Sequence, residues 1–314
     1  MKLKIILFFS LSLFHSANFA QENAVKVNVT IPETEVVNIH SERADADYQL
    51  WIAKPIPGAF PFSNEPLKVL YVLDANLLFG TAVEMTRLMS QLYGELPPIL
   101  IVGIAYNTND PIIQSELRTR DFTPTTIDYS AMNSSFPGAP TPTLPADRRS
   151  GRSEQFLQFL IHEVKPLVSS KYDVAESGST LFGSSLGGLF TAYTLLNYPD
   201  AFEAYIAVSP ALWWDNRTVL TDLKTKLPLL EPINSTVFLA VGAEEERSDI
   251  PNLAQFRMIS NLREFAESFE ALSARNFKLT TFVAEGESHT TVIPVALTRA
   301  LRSIYPPVKP AWMR

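Results

Sequence analysis

Residues Gly183-Ser184-Ser185-Leu186-Gly187 form a G-x-S-x-G pattern, and what flanks it narrows the fold more than any other feature. Before it, Ser179-Thr180-Leu181-Phe182 has the short, apolar, partly β-branched character of a buried strand. After it, Gly188 to Leu196 places apolar residues at helical spacing and stops short of Pro199. A strand that turns sharply into a helix pushes the middle serine outward, the arrangement called a nucleophile elbow. Glycines beside the serine permit a crowded turn that a Cβ would block. The helix that follows directs its positive end at the reacting centre. The pattern therefore predicts a strand, a nucleophilic Ser185 and a helix in one unit.

The rest of the chain supplies the sheet that such a unit needs. Val25–Val29, Val36–Ile39 and Tyr48–Ile52 read as antiparallel strands at a sheet edge. Val69–Leu73, Ile99–Ile104, Tyr205–Val208, Val237–Val241 and Leu279–Val283 read as strands buried on both faces. Helical patterns lie between them at Thr81–Leu92, from Gln155, at Leu253–Leu272 and at Thr291–Ile304. Strands alternating with helices imply an α/β fold: a mostly parallel central sheet with antiparallel N-terminal edge strands and helices on both faces. Residues 123–152 interrupt this rhythm with five prolines among Ser, Thr and Gly, and read as an irregular loop, either a solvated surface loop or a wall of the substrate site.

Met1-Lys2-Leu3-Lys4, the apolar run Ile5–Phe14 and the small residues Ala17 and Ala20 have the layout of a signal peptide spanning residues 1–20. The apolar run is about ten residues, short of the roughly 20 that a bilayer requires, so stable membrane insertion is not expected after its removal. Residues 21–314 are then expected to be one domain, periplasmic or secreted. Loss of Lys2 and Lys4 takes the net charge from −7 to −9, which argues against a nucleic-acid partner. The sequence has no cysteine, so neither a lipid-anchoring thiol nor a disulfide framework is available. It shows no metal-ligand cluster, phosphate loop or dinucleotide fingerprint, and no cofactor is called for.

A serine nucleophile needs a base, and there are four histidines in the chain. His15 leaves with the signal peptide, His40 ends an early strand and His162 lies on an amphipathic helix. His289 follows the last strand, where a nucleophile–acid–histidine chain order places the base. The acid belongs after the preceding strand, where Glu244, Glu245 and Glu246 compete and the spacing from Gly242 favours Glu245. The same run also fits a solvated loop, with at most one of its members touching the histidine. The oxyanion donors are main-chain groups: Leu186 N–H, and an N–H after the third strand, Asn76 first and Ala75 next. Arg118 and Arg120, with Arg148, Arg149 and Arg152, would make a basic rim for an anionic substrate, unless they pair with surface carboxylates. Of Trp213 and Trp214, one is expected to line an acyl or aromatic pocket and the other to lie in the core, with Trp214 taken as the pocket residue.

The motifs Val69–Asp74, Ile101–Ile104, Arg118–Pro124, Gly183–Gly188, Ser209-Pro210 with Trp213-Trp214, and Gly286–His289 occur in an order that resembles the esterase D-like family of α/β-hydrolases. The branch it resembles holds the periplasmic enterobactin and salmochelin esterases, over roughly residues 30–305. That resemblance implies an α/β-hydrolase fold and a serine esterase acting on a small-molecule ester through an acyl-enzyme on Ser185. It also implies His289 as base and an active site bordered by the arginine segment and the proline-rich loop. Trilactone siderophores are the substrates it suggests; feruloyl, acetyl or short-chain esters, acyl transfer, and a non-catalytic binding protein are the alternatives.

Overall fold

The computed structural model describes residues 28–57, 65–127, 142–227, 233–270, 277–305 and 307. Glu33–Arg314 forms one compact unit and Met1–Pro32 another. In the latter, residues 28–32 carry no helix or strand, so the first expected edge strand is absent at Asn28 and Val29. Its remaining residues, the signal-peptide segment and the middle of the proline-rich loop lie outside the described residues.

Eight strands make one sheet: β1 (Thr34–Ser41), β2 (Ala46–Ala53), β3 (Leu67–Val72), β4 (Ile99–Tyr106), β5 (Val174–Ser184), β6 (Ala204–Val208), β7 (Thr236–Gly242) and β8 (Lys278–Ala284). Their order is β1-β2-β4-β3-β5-β6-β7-β8. β1 and β2 run antiparallel at the N-terminal edge, and every pairing from β4–β3 to β7–β8 is parallel. Burial follows this order. Every residue of β4, Ile-Leu-Ile-Val-Gly-Ile-Ala-Tyr, is buried, as expected of a strand covered on both faces, while edge strand β1 leaves five of its eight residues in solvent.

Helices α1 (Ala75–Tyr93), α2 (Pro111–Phe122), α3 (Ser153–Phe159), α4 (Lys165–Lys171), α5 (Leu186–Asn197), α6 (Trp214–Lys226), α7 (Pro251–Ala254), α8 (Met258–Glu270) and α9 (Val292–Ile304) complete the layers. A π-turn, Leu160–Val164, joins α3 to α4. α1 and α9 pack together over one face of the sheet, and α5, α2, α3, α6 and α8 cover the other. This is the expected architecture. α2 and the helix after β6 were not apparent from apolar periodicity. α2 buries only its last turn, Thr119–Phe122, and starts instead from a local signal: Asp110 accepts from Ile112 N–H at 2.8 Å, with Pro111 at the first helical position. The single helix expected over Leu253–Leu272 is broken, because Arg257 has a left-handed backbone (φ 51°) between α7 and α8.

The parallel order brings the C-terminal ends of β3, β5, β7 and β8 to one edge of the sheet. In a doubly covered α/β sheet that edge is where sites form.

Candidate active site

Ser185 stands between β5 and α5 with φ 59° and ψ −118°, a strained conformation for a residue with a side chain. Three main-chain bonds hold it there: its N–H donates to Val208 O (2.9 Å), and its carbonyl accepts from Leu189 N–H (2.9 Å) and Ala211 N–H (3.0 Å). The turn is tight on one side only. A Cβ on Gly183 would come within 2.2 Å of Gly187 O, whereas one on Gly187 would meet nothing closer than Asp74 Oδ2 at 3.4 Å. Gly183 is therefore obligatory on steric grounds, and Gly187 is not.

Glu245 lies in the short turn after β7, and its side chain is 3% exposed. Its two oxygens have separate duties. Oε1 accepts from Gly242 N–H (2.7 Å) and from the buried Ser209 hydroxyl (2.5 Å), while Oε2 accepts from His289 Nδ1 (2.5 Å). A carboxylate only accepts, so Nδ1 carries the hydrogen, and in a neutral ring Nε2 is the nitrogen that keeps its lone pair. Glu244 and Glu246 bind elsewhere, to Arg247 and Ser260. Backbone contact brings the two loops together: Glu244 N–H donates to Glu287 O (3.1 Å), and a Cβ on Gly242 would come within 2.3 Å of that same oxygen. Nothing in the sequence pointed to Ser209 as a partner of Glu245; its position at the end of the strand beside β7 was the available signal.

Ser185 and His289 line two cavities with different walls. One, of about 380 Å³, is bounded by Asp74, Asn76, Leu77, Gln114, Ser115 and Arg118 among others. The second, of about 410 Å³, is bounded by Trp213, Leu253, Phe256, Met258, Glu244 and Ser288. Ala75 and Asn76 open α1, so their N–H groups belong to the first turn, which has no acceptor within its own helix. Leu186 N–H opens α5 in the same way, beside Ser185. The Asn76 side chain ties this turn to β4: Nδ2 donates to Tyr106 O (3.0 Å), and Oδ1 accepts from Tyr106 N–H (2.7 Å).

Arg118 lines the first cavity, but its guanidinium grips Asp74 through two bonds of 2.8 and 2.9 Å. Burial works against its charge; the adjacent Asp74 carboxylate outweighs that and holds the guanidinium above its ordinary pKa. Two of the expected substrate contacts are corrected. Arg120 is buried, bonded to Asp121 (2.6 and 2.9 Å) and to the Tyr48 hydroxyl (3.1 Å), and lines neither cavity. Trp214 is 1% exposed and donates from Nε1 to Thr125 Oγ1 (3.2 Å); the cavity-lining tryptophan is Trp213. Two arginines of the wider rim bind neighbouring groups of the protein. Arg148 pairs with Asp45, and Arg149 donates to Leu144 O.

Comparison with known proteins agrees with this geometry. Residues 55–275 match the family described as "Putative esterase". The ferri-bacillibactin esterase BesA of Bacillus subtilis is 34% identical over 287 residues, covering 87% of this chain and 90% of that protein. The siderophore enterobactin esterase of Emericella nidulans is 28% identical over 276 residues, 82% of this chain and 88% of its own. The crystal structure of the BES protein from Bacillus cereus superposes with a TM-score of 0.73 at 29% identity, covering 90% of this chain and 99% of that one. The chain belongs to this esterase family and is a serine ester hydrolase with an α/β-hydrolase fold.

Proposed function

We propose that this esterase opens the ester bonds of a cyclic trilactone siderophore, using Ser185, His289 and Glu245 as a catalytic triad. The observation that carries the triad is the bond from His289 Nδ1 to the buried Glu245, with His289 and Ser185 facing the same cavities. In this reading Ser185 Oγ attacks the ester carbonyl carbon and its proton passes to His289 Nε2. The N–H groups of Leu186 and Asn76 hold the oxyanion. The tetrahedral intermediate collapses, the C–O bond to the alcohol breaks, and His289 returns the proton to that alcohol. Water then attacks the acyl-enzyme, giving one proton to His289. As the acid leaves, that proton returns to Ser185 Oγ. Glu245 fixes the ring orientation and balances the imidazolium that forms in both halves.

The siderophore assignment is supported by the relatives that cover most of this chain and are themselves described as esterases of bacillibactin and enterobactin. Incubation with iron-free and iron-loaded trilactone siderophores, followed by chromatography of the linear products, tests it. We expect ring opening by the wild type and none above background by Ser185→Ala, with the same circular dichroism for both. An intact trilactone alongside fast hydrolysis of feruloyl esters would overturn the substrate class. Export by cleavage after Ala20 belongs to the same reading, and N-terminal sequencing of the extracytoplasmic protein should begin at Gln21.

A further inference from the structure

We propose that the cavity lined by Trp213 and Phe256 is an aryl subsite, which takes a planar, uncharged aromatic group carried by the ester substrate. The two cavities that meet at Ser185 and His289 divide the substrate by chemistry. The one beside α1 and α2 offers amide and hydroxyl groups from Asn76, Gln114 and Ser115, next to a guanidinium already committed to Asp74. The other offers two aromatic faces, Trp213 and Phe256, with ring centroids 4.9 Å apart and planes inclined at 50°. Leu253 and Met258 close its sides, and its volume of about 410 Å³ admits a benzene ring with its linking atoms.

Both aromatic walls are held from behind. Trp213 packs on the buried Trp214 (centroids 6.2 Å apart), whose indole is tied to Thr125. Phe256 precedes the left-handed Arg257, and Asn261 Nδ2 donates to the Phe256 carbonyl at 3.0 Å, fixing the joint between α7 and α8. Large aromatic side chains left partly exposed beside Ser185 suit a ring that completes their burial, since aromatic pairs gain beyond the area they cover. The ionisable groups on the lining are Glu244, Glu245 and His289, with no lysine or arginine. An anionic ring is therefore disfavoured, although Glu244 shares its charge with Arg247.

This inference rests on the esterase reading only for the identity of the ligand, and binding tests it apart from turnover. Ligand-observed NMR titration would compare N-benzoylglycinamide with N-acetylglycinamide on the intact protein. The benzoyl ligand should bind at least tenfold more tightly. That preference should fall at least tenfold in Trp213→Ala and in the milder Phe256→Leu, and persist in Trp213→Phe. A 4-carboxybenzoyl analogue should bind more weakly than the benzoyl ligand and recover in Glu244→Gln. Equal binding of the two neutral ligands by the wild type, or a ring preference that survives both Trp213→Ala and Phe256→Leu, would overturn the subsite. Failure to open a trilactone would leave these binding results unchanged, so the two proposals fail separately.

Discussion

At the scale of the residue, Ser209 is the part of the site whose importance is least visible in the sequence. Its backbone is left-handed (φ 45°), it is fully buried, and its hydroxyl supplies one of the two donors to Glu245 Oε1. A hydrogen bond to a charged group contributes about 1.5–3 kcal/mol, so Ser209→Ala should lower kcat by about tenfold or more while KM changes little. A change confined to KM would remove Ser209 from the positioning of Glu245. The two arginines make the opposite case. Arg120→Met strips a buried carboxylate, Asp121, of its charge partner, leaving it the Tyr48 hydroxyl, and should cost about 3–5 kcal/mol in urea unfolding. Its kcat/KM per folded molecule should stay within about twofold of wild type; a larger loss would return Arg120 to the site. The sequence grouped Arg118 with Arg120 because the helix carrying them was not foreseen. Once they lie on α2, residues two apart point to different sides, so one reaches the cavity and the other the core. The adjacent Trp213 and Trp214 divide between cavity and core in the same way.

At the scale of the element, the residues proposed as nucleophile, acid and base could be sought in the sequence because each follows a strand. Ser185 follows β5, Glu245 follows β7 and His289 follows β8, the chain order expected of such a set. The choice of Glu245 over its neighbours depended on a turn of four residues that points one carboxylate inward, which no periodicity reports. The break at Arg257 was hidden for a related reason: apolar residues continue at helical spacing through a joint that only the backbone reveals. The contact between the β7 turn and the 287–289 segment offers a direct test of how these elements cooperate. Gly242→Ala would drive a methyl into the Glu287 carbonyl, and relief requires the two loops to part. We expect a kcat loss of at least tenfold, since even a 1 Å misplacement of catalytic groups can cost about a hundredfold. Overpacking of this kind also costs about 1–3 kcal/mol, measurable as a lower urea midpoint. Wild-type turnover in Gly242→Ala would show that the His289 loop finds its place without this contact.

Across the whole molecule, the site draws its parts from regions of unequal security. Ser185 grows from β5, flanked by β3 and β6 deep in the sheet, and from α5, most of which is buried. His289 follows β8, which among the described residues pairs with β7 alone and leaves Lys278, Thr280 and Thr281 in solvent. α9 packs across β6, β7 and β8 from one side and α8 from the other, so this edge has cover but no second strand partner. Stability within a protein is uneven, and edges with few buried contacts open at lower free energy than the centre. Opening of β8 would carry His289 away from Glu245 while leaving the elbow intact. Esterase activity should therefore disappear at a lower urea concentration than the far-ultraviolet circular dichroism of the sheet and helices. In the proposed mechanism reaction with a fluorophosphonate also depends on His289, so its labelling should follow the activity curve rather than the dichroism. Three coincident transitions would instead mean that the β8 edge unfolds only with the core, and that the base is as firmly held as the nucleophile.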